Sequence, residues 1–365
     1  MASQRIEYLD AVKGFAIFLV VFAHAIGWNV SDVDSIINPD YNQPFHTAWK
    51  GLLWQIVYSF HMPLFFMISG YFLSSIDAGM TLSEKTSKLK KQVVRKSVRL
   101  LIPYFFTGFL VLLYKGYYGY WFLFSLWEVS LLSLGISFII SYVNRNGNIW
   151  FDLAGWTVFY LILKIILPRL PHTDWVEFDR CLFSLPAFIC GILMRKYSLL
   201  DRLHKHNVII CLCGFFVAFV LAYLPYAFPE SVLVHKGSVG LRTYIIPLLG
   251  CIAVIGSFKL MSTDCANIAW GGGKTLISNV LKSLGMFSLE IYILHLFLVV
   301  KVPQAGDWIN SLHPSLMIPL QLLFATAVAA VAIALSVLGA KAIHKIPLLP
   351  QLLFGSPQSG RSKES

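Results

Sequence analysis

The side chains best suited to chemistry lie in the first apolar segment of the chain, where Asp10, Lys13 and His24 occur together. At about 100° and 1.5 Å per residue, an α-helix would return Lys13 and His24 to nearly the same face, roughly 16 Å apart along the axis. Asp10 is three residues before Lys13 and would share that face. The spacing therefore predicts one helix that presents an acid, an amine and an imidazole in a stripe.

Ionisable groups inside an apolar helix are costly, and they usually face a cavity or a partner. Two interpretations of this stripe remain open at this point. His24 either lines a functional cavity or is a buried imidazole bonded to another helix. Lys13 either serves the same site or simply marks the cytoplasmic edge of the helix.

A second apolar segment carries His61 directly before Met62-Pro63. A proline within a helix frees a carbonyl group and kinks the helix, and in membranes such breaks are tolerated where they line a cavity. We therefore assign His61 to a polar cavity. Ser69, next to Gly70, is a candidate for the cavity lining, but we favour close packing between helices for this pair.

A later segment repeats the combination of polar groups in an apolar run. Ser288, Tyr292 and His295 share one side of a helix because they are four and three residues apart. Glu290 lies between them, and a carboxylate there must be paired or protonated. We expect Glu290, Tyr292 and His295 to line a cavity.

A cluster of basic residues precedes another apolar segment and includes Arg95, Lys96 and Arg99. Such a cluster is usually an ordinary cytoplasmic flank of a membrane helix. The alternative is a phosphate site, because Lys96 and Arg99 share a face and a guanidinium suits phosphate oxygens.

The composition places the chain among polytopic membrane proteins, because 57% of residues are apolar and only 13% are charged. The pattern predicts an all-α fold with about ten transmembrane helices. They fall at about 13–28, 52–73, 100–114, 121–142, 149–167, 181–194, 208–226, 241–258, 284–302 and 316–343. The basic residues between residues 74 and 99 are expected to form a loop. Neither a metal-ligand spacing nor a nucleic-acid-binding pattern is visible.

Charge predicts the orientation of these helices. Most of the 29 Lys and Arg residues fall in the N-terminal flank, in alternate loops and in the C-terminal tail. The positive-inside rule then places both termini in the cytoplasm. We expect one membrane domain over residues 1–345, followed by a polar cytoplasmic tail over 346–365 that is disordered after residue 350.

Five motifs, taken in order, resemble the acyltransferase-3 family of integral-membrane acyltransferases. They are Lys13-x10-His24, Phe60-His-Met-Pro-Leu-Phe-Phe-Met-Ile-Ser-Gly-Tyr71, Arg95-Lys-Ser-Val-Arg99-Leu-Leu-Ile-Pro-Tyr104, Trp121-Phe-Leu123 and Ser288-Leu-Glu-Ile-Tyr-Ile-Leu-His295. The family often has Arg-x-x-Arg in the third motif, where this chain has Lys96-x-x-Arg99. Trp121 is accordingly a further candidate cavity residue.

The resemblance implies an O-acyltransferase of the bacterial inner (plasma) membrane. Such an enzyme moves an acyl group, often acetyl from acetyl-coenzyme A, to a sugar hydroxyl of a cell-surface or lipid-linked glycan. His24 is then the candidate general base, and a transient acyl-imidazole stays open. Lys13, Arg95, Lys96 and Arg99 are candidates for holding the donor's phosphates, and Asp10 for orienting Lys13. The expected partners are the bilayer, the glycan and acyl-coenzyme A as a co-substrate, without a tightly bound cofactor. The alternative function is a polysaccharide exporter or another secondary transporter that uses the same polar groups.

Overall fold

The computed structural model describes residues 6–30, 51–73, 76, 79–116, 120–145, 147–169, 178–227, 240–264 and 273–355. These residues form helices, with no strand among them, so the predicted all-α class is confirmed. The helices are α1 (Glu7–Asn29), α2 (Leu52–Tyr58), α3 (His61–Tyr71), α4 (Leu82–Lys115), α5 (Trp121–Val143), α6 (Ile149–Ile166), α7 (Phe178–Lys196), α8 (Lys205–Ala227), α9 (Ile246–Asp264), α10 (Gly273–Met286), α11 (Ser288–Leu298), α12 (Pro303–Asn310), α13 (Pro314–Ile343) and α14 (Leu349–Phe354).

The described residues contain 8 helices that are long and apolar enough to cross a membrane, which confirms a polytopic membrane protein. In this count α2 and α3 together form one span, Leu52–Tyr71. Two of the ten predicted spans, those at 181–194 and 284–302, are absent from this count. Helix α7 carries charged residues at both ends, and the segment predicted at 284–302 is broken. There α10 and α11 meet at an angle of 83°, and this bent pair would be a ninth span if it counts as one.

The predicted basic loop is wrong in its described part, because residues 82–99 belong to α4, a helix of 34 residues. Thr81 and Glu84 form a capping box, in which the Thr81 side chain accepts from the Glu84 N–H and Glu84 accepts from the Thr81 N–H. This cap satisfies amides that the first turn leaves unbonded. The Lys, Arg and Gln residues that follow are good helix formers, so the helix begins well before the apolar run.

The chain divides into two compact units, and α3 and α13 each pass from one unit to the other. The first unit comprises residues 1–65 and 200–339, and α1 forms its core. In α1, 78% of the apolar window is buried, against 50% or less in each other candidate span. Helix α1 packs most extensively on α10. A Cβ added at Gly14 would lie 1.8 Å from the Leu281 carbonyl oxygen, and one at Gly285 would lie 1.9 Å from that of Asp10. The two backbones therefore touch, as small residues allow between membrane helices.

The second unit comprises residues 66–199 and 340–365, and it contains the basic helix α4. Helix α4 packs against α5, and α5 packs against α7. The backbone of Gly70 in α3 packs against the backbone of α7, since an added Cβ would lie 2.1 Å from the Phe188 carbonyl oxygen. A buried Asp152 accepts from Asn144 at 2.5 Å and forms an ion pair with Lys196, which ties α6 to α7.

The predicted disorder after residue 350 is wrong for residues 351–354, which belong to a helix. Residues 349–354 form α14, in which Leu353 and Phe354 are buried, and this helix packs against α4. The apolar sequence Leu-Leu-Phe at 352–354 supplies the buried surface that a disordered polar tail lacks. Residues 356–365 lie outside the described residues, and the domain boundary at residue 345 stays a prediction.

Candidate active site

One continuous helix, α1, carries the predicted stripe. Lys13 Nζ donates to Asp10 Oδ1 at 3.2 Å, and the two side chains are 25% and 11% exposed. Gly285 of α10 packs on the Asp10 carbonyl, which fixes this turn of α1. His24 lies about 16 Å further along the axis by helical rise. Lys13 and His24 are both half-buried, in a helix whose other residues are mostly buried.

The tautomer of His24 follows from its hydrogen bond within α1. The Nδ1 atom lies 2.8 Å from the Val20 carbonyl oxygen, one turn earlier in the helix. A carbonyl oxygen only accepts, so Nδ1 carries the proton. The lone pair of the neutral imidazole is therefore on Nε2, and the helix itself orients the ring. An imidazole in this state can take a proton at Nε2.

A second imidazole lies against the first, contributed by α11. The ring centroids of His24 and His295 are 4.9 Å apart, and the rings meet edge to face. His295 is fully buried, and its Nδ1 donates to the Ile291 carbonyl oxygen at 3.1 Å. The Tyr292 ring lies 5.8 Å from that of His295. Of the predicted cavity residues of α11, His295 therefore contacts His24, and Tyr292 lies next to His295.

His61 in α3 has the same local geometry as the other two imidazoles. It is 1% exposed, and its Nδ1 donates to the Val57 carbonyl oxygen at 2.8 Å. The Tyr58 ring lies 4.8 Å from the His61 ring, and the Trp54 ring stacks on Tyr58 at 3.8 Å. Helices α2 and α3 thus add an aromatic wall to the first unit.

The end of α1 beyond His24 is held by a buried amide. The Asn29 side chain donates to the carbonyl oxygens of Ala25, at 2.7 Å, and Val300, at 3.2 Å, and its Oδ1 accepts from the Val302 N–H. These bonds fix the segment that leaves α11 against the last turn of α1. On the same turn, Trp28 meets the His24 ring edge to face at 5.4 Å, and Lys301 Nζ lies 5.3 Å from the Trp28 ring centroid.

The predicted phosphate-binding residues lie on α4, in the second unit. Arg95 and Arg99 are exposed and Lys96 is half-buried. Positions 95 and 99 are one turn apart, and position 96 adjoins them, so the three cations share one side of the helix. Lys85, another residue of the basic segment, has a different role. It is 3% exposed, donates to the Ser141 carbonyl oxygen at 3.2 Å and lies 4.2 Å from the Tyr142 ring centroid.

The other predicted site residues have different surroundings. Trp121, at the start of α5, lies under the guanidinium of Arg180, whose carbon is 4.5 Å from the ring centroid. Ser69 is half-buried beside the packed Gly70. Glu290 is half-buried in the first turn of α11. In the described part of the chain, no three His, Cys, Asp or Glu side chains are grouped so as to hold a metal ion.

Sequence reasoning did not select several residues around the imidazoles. Trp28 is one turn after His24 and Tyr58 is three residues before His61, so helical spacing could have identified both. Asn29 and Lys301 gave no comparable signal, because their contacts join positions more than 270 residues apart or depend on the close approach of α11 to α1.

The comparisons with known proteins agree with the motif pattern. Residues 6–340 match the sequence model of the acyltransferase-3 family, which is described as an acyltransferase domain. Neither a curated protein nor a solved structure matches the chain. The matched segment includes every candidate site residue of both units. The chain therefore belongs to the acyltransferase-3 family and is a multi-pass membrane acyltransferase that transfers groups other than aminoacyl groups.

Proposed function

We propose that this protein is an O-acyltransferase of the bacterial inner membrane. It moves an acyl group, in the simplest case acetyl, from acyl-coenzyme A to a hydroxyl of a cell-surface or lipid-linked glycan. The observation that carries the proposal is the state of His24 within a chain of the acyltransferase-3 family. Its Nδ1–H is bonded to the Val20 carbonyl, and its ring is half-buried beside His295.

In the proposed reaction His24 is the general base. Nε2 takes the proton from the acceptor hydroxyl as the oxygen attacks the thioester carbonyl carbon. The carbon–sulfur bond then breaks, and the departing thiolate of coenzyme A receives the proton back from the imidazolium. A two-step route through an acyl-imidazole at Nε2 uses the same atom and the same tautomer. In both routes, the Val20 bond keeps Nε2 as the reacting nitrogen.

Several basic residues are proposed to serve the donor. Arg95, Lys96 and Arg99 share one side of α4 and suit the phosphate oxygens of coenzyme A. Lys13 is a further candidate, and its ion pair with Asp10 holds the ammonium group in one place. The acyl donor is a co-substrate that binds and leaves in each turnover.

The experiment that tests the function is mass spectrometry of surface glycans from cells with and without the gene. We expect a mass difference equal to one ester-linked acyl group, which mild alkali removes. Glycans that are exported in equal amounts and have identical masses in the two strains would contradict the proposal. Loss of surface glycan without any change in its mass would instead indicate an exporter.

A further inference from the structure

The short helix α14 begins and ends at residues with a left-handed backbone conformation. Leu348 has φ 66° and Gly355 has φ 57°. A left-handed leucine is uncommon and persists only where the surrounding packing determines it. Here that packing is visible, because Leu353 and Phe354 are buried and the Phe354 ring lies 5.5 Å from that of His344. The chain after α13 is thus folded back against α4 in a defined way.

The contact with α4 falls on the turn that carries Arg99. A Cβ added at Gly355 would lie 2.5 Å from the Arg99 carbonyl oxygen and 2.9 Å from its Cα. Glycine is therefore required at position 355 both for its backbone conformation and for the close approach. A substitution there must move α14, α4 or both.

Pro103 makes this turn of α4 unusual. A proline has no N–H, so Pro103 cannot donate to the carbonyl of Arg99, four residues earlier. Gly355 packs on that same carbonyl, since an added Cβ would meet its oxygen at 2.5 Å. Helix α14 therefore covers the backbone of the turn, while the Arg99 side chain stays exposed.

We propose that Gly355 and α14 position the cations of α4 for the phosphates of the acyl donor. Arg95, Lys96 and Arg99 repel one another on one side of the helix, and Pro103 weakens the helix at the same place. Because α14 packs against this turn of α4, it holds the turn in one conformation. The three cations then face a phosphate-bearing ligand together. Gly355 and Phe354 are positioning residues, and they need not touch the donor. This inference rests on the proposed function, since it concerns the same donor site.

The test compares Gly355→Ala with Gly116→Ala in the full-length purified protein. Gly116 ends α4 with φ 75°, and an added Cβ there would meet no atom of the described residues within 4 Å. Both substitutions therefore strain a left-handed residue, but only the first displaces α14 from Arg99. We expect Gly355→Ala to raise the KM for acetyl-coenzyme A and the Kd for free coenzyme A roughly tenfold. The acceptor KM, and kcat at saturating donor, should stay unchanged, as should all constants of Gly116→Ala.

Gly355→Asn separates backbone strain from the contact with Arg99. Asparagine tolerates the left-handed conformation, but its Cβ still meets the Arg99 carbonyl, so it should behave like alanine. Normal donor binding in Gly355→Asn, or equal donor constants for the two alanine variants, would overturn the inference and leave the proposed function standing. A wild-type protein that neither binds coenzyme A nor transfers an acyl group would contradict both the inference and the proposed function.

Discussion

At the residue scale, the main feature is that three imidazoles in three helices are bonded in the same way. His24, His61 and His295 each donate Nδ1–H to the carbonyl four residues earlier. For His24 and His295 the acceptor lies in the histidine's own helix, whereas His61, at the start of α3, donates to a carbonyl in the last turn of α2. The sequence could predict that His24 shares a face with Lys13, because helical spacing is local. It could not predict that His295 lies beside His24, because that contact depends on how α11 packs.

A residue-scale prediction concerns the donor site. Arg99→Glu should raise the KM for acyl-coenzyme A far more than the acceptor KM, because a hydrogen bond to a charged group contributes about 1.5–3 kcal/mol, or roughly 10- to 150-fold. Lys90→Glu is the matched control. It makes the same charge change at an exposed position of α4, about 180° around the helix from Arg99. Equal effects of the two substitutions would make Arg99 an ordinary flank residue.

At the element scale, direct contacts between helix backbones hold the candidate site in place. Gly14 and Gly285 let α1 and α10 touch at the turn that carries Asp10 and Lys13. The bend between α10 and α11 then directs α11 away from α10, and α11 carries His295 to His24. An apolar run from 284 to 302 predicts one straight span, because hydropathy does not report a bend. The reciprocal glycine contact is likewise invisible without knowledge of which helices meet.

This packing gives an element-scale prediction. Gly285→Ala places a Cβ 1.9 Å from the Asp10 carbonyl oxygen and should destabilise the protein by about 1–3 kcal/mol, the usual cost of overpacking. Gly135→Ala in α5 meets no described atom within 4 Å and should be neutral or stabilise by about 0.5–1 kcal/mol. Thermal unfolding in detergent measures both variants. A Gly285→Ala variant as stable as Gly135→Ala would show that α1 and α10 do not touch here.

At the scale of the whole molecule, composition predicted the class correctly, but the described residues contain eight apolar spans, or nine with the bent pair, where hydropathy predicted ten. Charged helix ends exclude α7 from the apolar spans of the described residues, and a long amphipathic start extends α4 far beyond its apolar half. The number matters because an even count puts both termini on the same side of the membrane. An odd count would place them on opposite sides, and the cytoplasmic orientation of both termini stays a prediction.

Reporter fusions test this topology. The positive-inside distribution predicts a cytoplasmic C-terminus and an external segment within residues 30–48. An alkaline phosphatase fusion should therefore be active within residues 30–48 and inactive after residue 365. A fluorescent protein that folds only in the cytoplasm should show the opposite pattern. A C-terminus outside the cytoplasm would contradict the proposed orientation and favour nine spans.

The central claim is that His24 is the base of acyl transfer, and the most direct test is the rate of transfer by His24→Gln in purified, detergent-solubilised protein. Glutamine keeps size and polarity but cannot act as a base, so the rate should fall about 100- to 10,000-fold. Coenzyme A binding should survive, and His206→Gln, at an exposed position of α8, should transfer at the wild-type rate. A purely structural His24 would tolerate glutamine better than alanine. Wild-type transfer by His24→Gln would contradict the account and make His61 and His295 the next imidazoles to test.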